Sequence, residues 1–164
     1  MYIVLHPTFN QESTIIKYNK TEIVKNIHDI QHPIARELLL KHNIKGVEIT
    51  SMADVLSGTG LSTSSAYTVG LISALYYYQG ITPSKKRIAE EACDLELNIL
   101  KEPIGKQDQY GTAIGGMKFI SFFQDGNVKV EPLYITKSVL QDLEDNLLLF
   151  YTGMTHSANQ ILEE

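Results

Sequence analysis

The stretch LSGTGLSTSSAY, residues 56–67, decides the fold of this chain, and the apolar run TVGLISALYYY follows it at residues 68–78. Glycine lets the backbone approach an anion closely, and the N–H groups and dipole at a helix start favour negative charge. The pattern therefore predicts a phosphate-binding loop, in which a serine hydroxyl could also ligate the magnesium that accompanies a nucleotide. The same letters fit an ordinary turn with a serine N-cap, and composition alone leaves that alternative open.

Two common nucleotide-binding motifs are excluded at this loop. A P-loop of the form GxxxxGK[ST] requires a lysine, and none occurs between Lys45 and Lys85. The dinucleotide motif GxGxxG requires a third glycine, which the GTG at residues 58–60 lacks. Any phosphate at this loop is therefore expected to be bound by backbone groups and hydroxyls.

The composition is typical of one globular domain. The chain has 164 residues, enough for a single core, and its net charge of −5 argues against a basic nucleic-acid groove. The single cysteine, Cys93, excludes an internal disulfide and is expected in the core. No apolar run approaches the ~20 residues of a membrane span, and the opening YIVL is too short for a signal peptide. We therefore expect a cytoplasmic protein with neither nucleic-acid nor membrane partners.

Hydrophobic periodicity and turn residues predict a mixture of strands and helices. The predicted strands are 2–6, 14–18, 47–51 and 147–151, with a hairpin formed by 117–123 and 128–133. The predicted helices are 33–42, 63–78, 83–100 and 157–164, and residues 101–110 are predicted to be irregular. Because strands and helices do not alternate strictly, the fold class is predicted to be α+β.

A second candidate site is the stretch IGKQDQYG, residues 104–111. An ionised Asp108 could ligate magnesium or accept a proton from an attacking hydroxyl, and the neighbouring Lys106 would stabilise the ionised form. Glu96, twelve residues earlier, is a second carboxylate that could face the same space. Taken singly, Asp108 also fits a turn former, and spacing alone favours a helix surface charge for Glu96.

The two stretches together resemble the GHMP kinases, a family that includes galactokinase and homoserine, mevalonate and phosphomevalonate kinases. Residues 60–66, GLSTSSA, resemble the family motif P-x-x-x-G-L-G/S-S-S-A/S-A, and GKQDQYG is similar to the segment that carries the family's aspartate. A closer likeness, to heptose 7-phosphate kinases, extends along the chain in the stretches KTEIV, DIQHP, VEITSMAD, EACDLE, EPIGKQDQYGTAIGG and FYTGMT.

This resemblance implies a fold. It is the GHMP kinase N-terminal domain, of the ribosomal protein S5 domain 2-like type, in which a mixed sheet packs with helices. Residues 1–150 would form an incomplete version of that ATP-binding domain. Residues 151–164 would begin the connection to a C-terminal domain that this sequence lacks.

The resemblance also implies roles for individual residues and the cofactors ATP and Mg²⁺. Ser64 would ligate the magnesium, with Glu96 as its carboxylate partner, directly or through water. Asp108 would orient or deprotonate the sugar hydroxyl, tuned by Lys106. The ATP phosphates would be bound by Gly58, Thr59, Gly60, Leu61, Ser62, Thr63 and Ser64. Ser62 and Thr63 stand where the heptose kinases usually have Gly-Ser.

The implied function is ATP-dependent phosphorylation of a heptose 7-phosphate or a related sugar at its anomeric hydroxyl. Two alternatives remain: an inactive kinase remnant that serves as a binding or dimerisation module, and a galactokinase-like relative with another sugar substrate. The expected partners are a sugar or sugar phosphate, and either a second copy of the chain or a complementing kinase fragment. Weak or no activity is expected from the isolated chain.

Overall fold

The computed structural model describes residues 1–55, 58–151 and 153. The chain divides into two compact units, one formed by residues 1–114 and the other beginning at residue 115. The first unit carries both candidate sites. The predicted helix at 157–164 and the loop entry at residues 56–57 lie outside the described residues.

A four-stranded mixed sheet forms one layer of the first unit. Its strands are β1 (Tyr2–Pro7), β2 (Thr14–Lys17), β3 (Thr21–Val24) and β4 (Val47–Met52), in the order β1-β4-β2-β3. Strand β4 runs antiparallel to β1 and parallel to β2, and β2 pairs antiparallel with β3. Because β4 lies inside the sheet, Val47 and Ile49 alternate inward with their side chains fully buried.

Four helices accompany this sheet in the first unit. They are α1 (Pro33–His42), α2 (Thr63–Tyr78), α3 (Lys85–Cys93), which continues as a π-helical segment (Asp94–Ile99), and α4 (Gln107–Ile114). Helix α1 begins with a proline in its first turn, as the sequence predicts. Helix α3 begins where the Arg87 N–H donates to the hydroxyl of its N-cap, Ser84, at 3.2 Å. None of the helices in the described part of the chain is long and apolar enough to cross a membrane.

The hydrophobic core lies between the sheet and α1, α2 and α3. It consists of fully buried aliphatic side chains from each of these elements. They include Ile16, Leu38, Leu39, Ile49, Leu71, Ile72, Leu75 and Leu95. The α+β class with a mixed sheet is thereby confirmed.

The second unit contains a hairpin and one helix. Strands β5 (Lys118–Phe122) and β6 (Val128–Pro132) pair antiparallel, and helix α5 covers Lys137–Asp145. The turn has Gly126 at φ +85°, a conformation that glycine adopts readily. The hairpin predicted from Asp125-Gly126 is confirmed.

Several sequence predictions are wrong at the level of single elements. Residues 147–151 are exposed and form no strand, and no strand in the described part of the chain pairs with them. Residues 107–110, predicted as irregular, begin α4, whose Gln109 and Tyr110 are buried. Strand β3 and helix α5 were not predicted. Helices 33–42 and 63–78 are confirmed with their predicted bounds.

Gly46 holds the start of β4 against the β1–β2 connection. Its carbonyl accepts hydrogen bonds from the Thr8 N–H at 2.8 Å and from the Thr8 hydroxyl at 3.0 Å. Its own N–H donates to Thr14 Oγ1 at 3.1 Å. Gly46 has φ +67°, and a Cβ added there would lie 2.7 Å from the Gln11 carbonyl oxygen. Both the backbone conformation and the available space therefore require glycine.

His42, at the end of α1, joins three helices through its ring. Its Nε2 lies 2.8 Å from Glu91 Oε1 on α3, and its Nδ1 lies 3.2 Å from Gln79 Oε1 at the end of α2. The Gln79 amide nitrogen donates to the His42 carbonyl at 3.1 Å, so the amide oxygen faces the ring. Because both ring nitrogens face acceptors, the protonated imidazolium form of His42 can donate one N–H to each of them.

The surroundings of His42 stabilise this charge. The hydrogen bond to Glu91 raises the pKa of His42 and outweighs the opposing effect of burial. Burial would raise the pKa of Glu91, but hydrogen bonds from His42 and Tyr76 outweigh it and hold that pKa below its usual value. Lys41 Nζ lies 3.8 Å from Glu91 Oε1 and 3.1 Å from Asp94 Oδ2. The cluster is thus an ion pair with both charges compensated.

We expect Gly46→Ala to lower the free energy of unfolding by about 3 kcal/mol, from left-handed strain and overpacking against Gln11. Gly80→Ala is the matched control, because Gly80 has φ +74° with no atom within 4 Å of an added Cβ. It should lose only about 1 kcal/mol. Urea unfolding of the two variants measures the difference. Equal losses of unfolding free energy would contradict the predicted overpacking against Gln11.

We expect His42→Gln to lower the free energy of unfolding by about 2 kcal/mol in mildly acidic buffer. The raised pKa of folded His42 means that its contribution is fully present below its unfolded pKa of about 6.5. That contribution is lost as the pH rises through the folded-state pKa, so the deficit of the variant should shrink towards alkaline pH. Urea unfolding over a pH series measures it, with the exposed His28→Gln as control. If the stability deficit of His42→Gln does not change with pH, the protonated form of His42 is not what stabilises the fold.

Candidate active site

The glycine and serine loop has the backbone geometry of a tight anion-binding turn. Gly58 and Gly60 have φ +78° and +74°. Ser62, the N-cap of α2, is also left-handed, with φ 54° and ψ 31°. A side chain in this conformation is strained, because the left-handed region favours glycine. The loop is thus a left-handed turn at three positions, and its phosphate-binding role stays a prediction.

The start of α2 lacks the capping bond that an ordinary helix start has. The Ser62 side chain makes no capping hydrogen bond, and the Ala66 N–H donates to the Ser62 carbonyl at 2.9 Å. The N–H groups of the first helical turn have no acceptor within the helix. Ser64 in that turn is exposed. The plain N-cap interpretation of the sequence is therefore wrong, and an anion could supply the missing acceptor.

An aromatic cluster fixes the first turns of α2. The Tyr67 ring packs on the His32 ring with centroids 4.6 Å apart, and the Tyr18 ring meets His32 edge-on at 4.8 Å. Burial raises the pKa of Tyr67, so its hydroxyl stays protonated. Glu22 accepts the Tyr18 hydroxyl at 2.8 Å and the N–H groups of Gln31 and His32. The helix that follows the loop is thus held against α1 and the sheet.

Glu96 lies directly beneath the start of α2 and is 1% exposed. Its Oε2 accepts the Ser65 hydroxyl at 3.0 Å, and its Oε1 accepts the Thr68 hydroxyl at 2.5 Å. The amide of Gln109 on α4 also donates to Oε2. The surface-charge interpretation of Glu96 is therefore wrong. All three hydrogen bonds come from neutral groups, which stabilise the charge without neutralising it.

The π-helical segment explains how a carboxylate on this helix becomes buried. The Leu100 N–H donates to the Leu95 carbonyl, five residues back, at 2.9 Å. The Glu102 N–H then donates to the Glu96 carbonyl at 2.9 Å. This widened turn buries two successive side chains, Leu95 and Glu96. Single π-helical turns are frequent at functional sites.

Helix α4 presents Asp108 outward and Gln109 inward. Asp108 is exposed in the first turn, whereas Gln109 is fully buried and Tyr110 nearly so. Lys106 precedes the helix, and its carbonyl accepts the Tyr110 N–H at 3.4 Å. Asp108 is thus accessible to a substrate while its neighbour is fixed to Glu96.

The donor set around Glu96 fits a hard cation such as magnesium. Its oxygen atoms are those of the Glu96 carboxylate and of the Ser65 and Thr68 hydroxyls, and the buried Gln109 Oε1 has no hydrogen-bond partner in the described part of the chain. No cluster of three acidic, histidine or cysteine side chains occurs among the described residues. Magnesium usually binds through one or two carboxylates together with substrate phosphates, so one carboxylate beside a phosphate loop suffices.

The structure thus brings Glu96 together with the start of α2 and with α4. Residues 58–64 lie at the start of α2, and Lys106 and Asp108 lie at the start of α4. The roles given to them remain predictions. Sequence reasoning missed Ser65, Thr68 and Gln109. The spacing of three residues between Ser65 and Thr68 on a predicted helix places both on one face, which could have indicated a shared partner.

Cys93 is buried, as predicted from the sequence. Burial raises the pKa of its thiol to about 11. The thiol is therefore protonated at neutral pH and is a poor nucleophile, which agrees with a core residue.

The chain is similar to kinases that act on sugars. The family model for the GHMP kinases N terminal domain matches residues 19–116. The chain is 35% identical over 111 residues to the D-glycero-alpha-D-manno-heptose 7-phosphate kinase of Campylobacter jejuni, covering 68% of this chain and 33% of that protein. It is 32% identical over 123 residues to the L-fucokinase/L-fucose-1-P guanylyltransferase of Bacteroides fragilis, covering 73% of this chain and 13% of that protein.

A solved structure supports the same fold. The D-glycero-D-manno-heptose 1-phosphate kinase from Bacteroides thetaiotaomicron matches with a TM-score of 0.77 at 22% identity, over 87% of this chain and 50% of that one. The chain therefore spans about a third of the curated heptose kinase and half of the solved one. Because the family model covers more than half of the chain, the chain belongs to the GHMP kinase family and has the fold of that family's N-terminal domain.

Proposed function

We propose that this chain is the nucleotide-binding part of an ATP-dependent kinase that phosphorylates a heptose 7-phosphate or a related sugar at the anomeric hydroxyl. The observation that carries the proposal is the buried Glu96 carboxylate, held by Ser65 and Thr68 beneath the uncapped start of α2. An uncapped helix start attracts phosphate, and a carboxylate with neutral partners attracts a cation. Together they suit a magnesium–nucleotide complex.

Each candidate residue has a part in this proposal. Backbone groups of residues 58–64 bind the ATP phosphates, and Ser64 and Glu96 hold Mg²⁺, which neutralises charge on the phosphates when bound. Asp108, exposed at the start of α4, orients the sugar hydroxyl or accepts its proton. Lys106, two residues earlier in the chain, supplies a positive charge at this end of α4. Phosphoryl transfer depends chiefly on positioning and charge stabilisation, so a small set of residues suffices.

The substrate class is supported by the relatives. The 35% identical relative is named a heptose 7-phosphate kinase, and the 32% identical one an L-fucokinase. The second name also contains L-fucose-1-P, a sugar phosphorylated at its anomeric position. We therefore place a heptose phosphate first and another sugar, as in the galactokinase-like alternative, second.

The proposal extends to the domain boundaries. Residues 1–150 belong to the ATP-binding domain and residues 151–164 lead towards a C-terminal domain. A complementing fragment or a second copy of the chain remains a possible partner.

We expect the chain to bind Mg²⁺ with a non-hydrolysable ATP analogue, and Ser64→Ala to weaken this binding about tenfold because a ligand to the metal is lost. Ser73→Ala is the matched control, because the Ser73 hydroxyl donates to the Val69 carbonyl on the same helix, at 2.8 Å. Calorimetric titration measures both affinities. Failure of the parent chain to bind the analogue would leave the inactive-remnant alternative, and equal affinities of the two variants would refute the role of Ser64.

We expect Asp108→Asn to reduce phosphoryl transfer at least ~100-fold while Mg·ATP affinity stays nearly unchanged, because the carboxylate acts on the sugar hydroxyl. Transfer of labelled phosphate from ATP to heptose 7-phosphate, L-fucose and galactose measures turnover and sugar choice. The assay is applied to this chain and to any longer polypeptide that contains it. Asp125→Asn, in the exposed turn of the hairpin, is the control. Unchanged turnover in Asp108→Asn would contradict its role.

A further inference from the structure

We propose that Gln109 is a positioning residue, whose side-chain amide orients the Glu96 carboxylate towards a cation and fixes the start of α4, with Asp108, against the start of α2. This inference rests on the proposed kinase function and deepens it. Nothing in the sequence singles out Gln109, which is neutral and stands beside the more conspicuous Asp108.

The hydrogen bonds to Glu96 leave one acceptor position of its carboxylate unused among the described residues. Oε2 accepts two hydrogen bonds, from Ser65 and Gln109, and Oε1 accepts one, from Thr68. A carboxylate offers about four acceptor positions, two on each oxygen. The remaining position therefore lies on Oε1, and the bonds from Gln109 and Ser65 determine which way that oxygen points.

The orientation of the Gln109 amide is fixed by the charge of Glu96. A carboxylate accepts but does not donate, so the amide must turn its NH₂ group towards Glu96. Its Oε1 then faces the other way, buried and without a hydrogen-bond partner in the described part of the chain. A buried acceptor without a donor is unusual. Water bound to a cation, or a ligand hydroxyl, is the kind of donor that this oxygen lacks.

Gln109 also connects two parts of the site. Ser65 and Thr68 reach Glu96 from α2, whereas Gln109 reaches it from α4. Asp108 precedes Gln109 in the same helical turn. Fixing Gln109 to Glu96 therefore fixes the backbone of Asp108 relative to the proposed metal ligand.

Binding of Mn²⁺ with a non-hydrolysable ATP analogue, followed by electron paramagnetic resonance on the full chain, tests this role. We expect Gln109→Met to weaken Mn²⁺ binding about tenfold, because it keeps the bulk of the side chain but removes the amide. Gln107→Met, at an exposed position in the same helical turn, should leave the affinity unchanged. Gln109→Asn, which keeps the amide but shortens its reach, should give an intermediate loss and serves if Gln109→Met does not fold.

A double-mutant cycle separates positioning from a purely structural role. In a Glu96→Gln background, Gln109→Met should cause no further loss of Mn²⁺ affinity, because the group through which it acts is already gone. Exchanging the two side chains, Glu96→Gln with Gln109→Glu, restores a carboxylate–amide pair. It should recover much of the thermal stability lost by Gln109→Glu alone, but not the Mn²⁺ affinity.

Each outcome decides a different question. If the parent chain binds Mn²⁺ with the analogue and Gln109→Met binds it within twofold as well, the positioning role is overturned and the proposed function stands. Equal losses from Gln109→Met with and without Glu96 would also overturn it, because Gln109 would not act through Glu96. If the parent chain shows no Mn²⁺ binding with the analogue, the proposed function fails, and the positioning role fails with it.

Discussion

Burial of the Glu96 carboxylate is the constraint around which the first unit is arranged. An ionised carboxylate removed from water is unfavourable unless hydrogen bonds replace its solvation. Here the donors come from two helices that are distant in sequence, Ser65 and Thr68 on α2 and Gln109 on α4. Satisfying one charge therefore requires α2, the π-helical turn and α4 to meet at one point, beside the start of α2.

A second carboxylate in the same unit, the partly buried Glu91, belongs to a structural ion pair. Its Oε1 lies close to the His42 ring and to the Lys41 ammonium, so positive groups of the protein compensate its charge. The three hydrogen bonds to Glu96 come from an amide and two hydroxyls. The ion pair of Glu91 joins α1 and α3, and its charges are compensated by the side chains of those helices. In the arrangement around Glu96 the hydrogen-bond donors are neutral and do not cancel the charge of the carboxylate.

How far the sequence predicts this fold depends on where the stabilising contacts lie. Helices 33–42 and 63–78 were predictable because their apolar residues and first-turn signals are local. Helix α4 was not, because its segment is polar and the burial of Gln109 and Tyr110 depends on other helices. Glu96 was misplaced on the surface because regular helical spacing does not anticipate a π-helical turn. The loop could be predicted because glycine favours left-handed backbone, whereas the three-residue spacing of Ser65 and Thr68 does not identify Glu96 as their shared partner.

The same arrangement couples ligand binding to the order of the site. Burial of Glu96 is unfavourable, and in the described part of the chain the hydrogen bonds that offset it come from neutral donors. A cation that binds the folded state compensates this charge and stabilises that state by mass action. Because Gln109 shares the carboxylate with α2, the stabilisation extends to the helix that carries Asp108. The buried charge of Glu96 therefore links the start of α2 to the placement of Asp108 on α4.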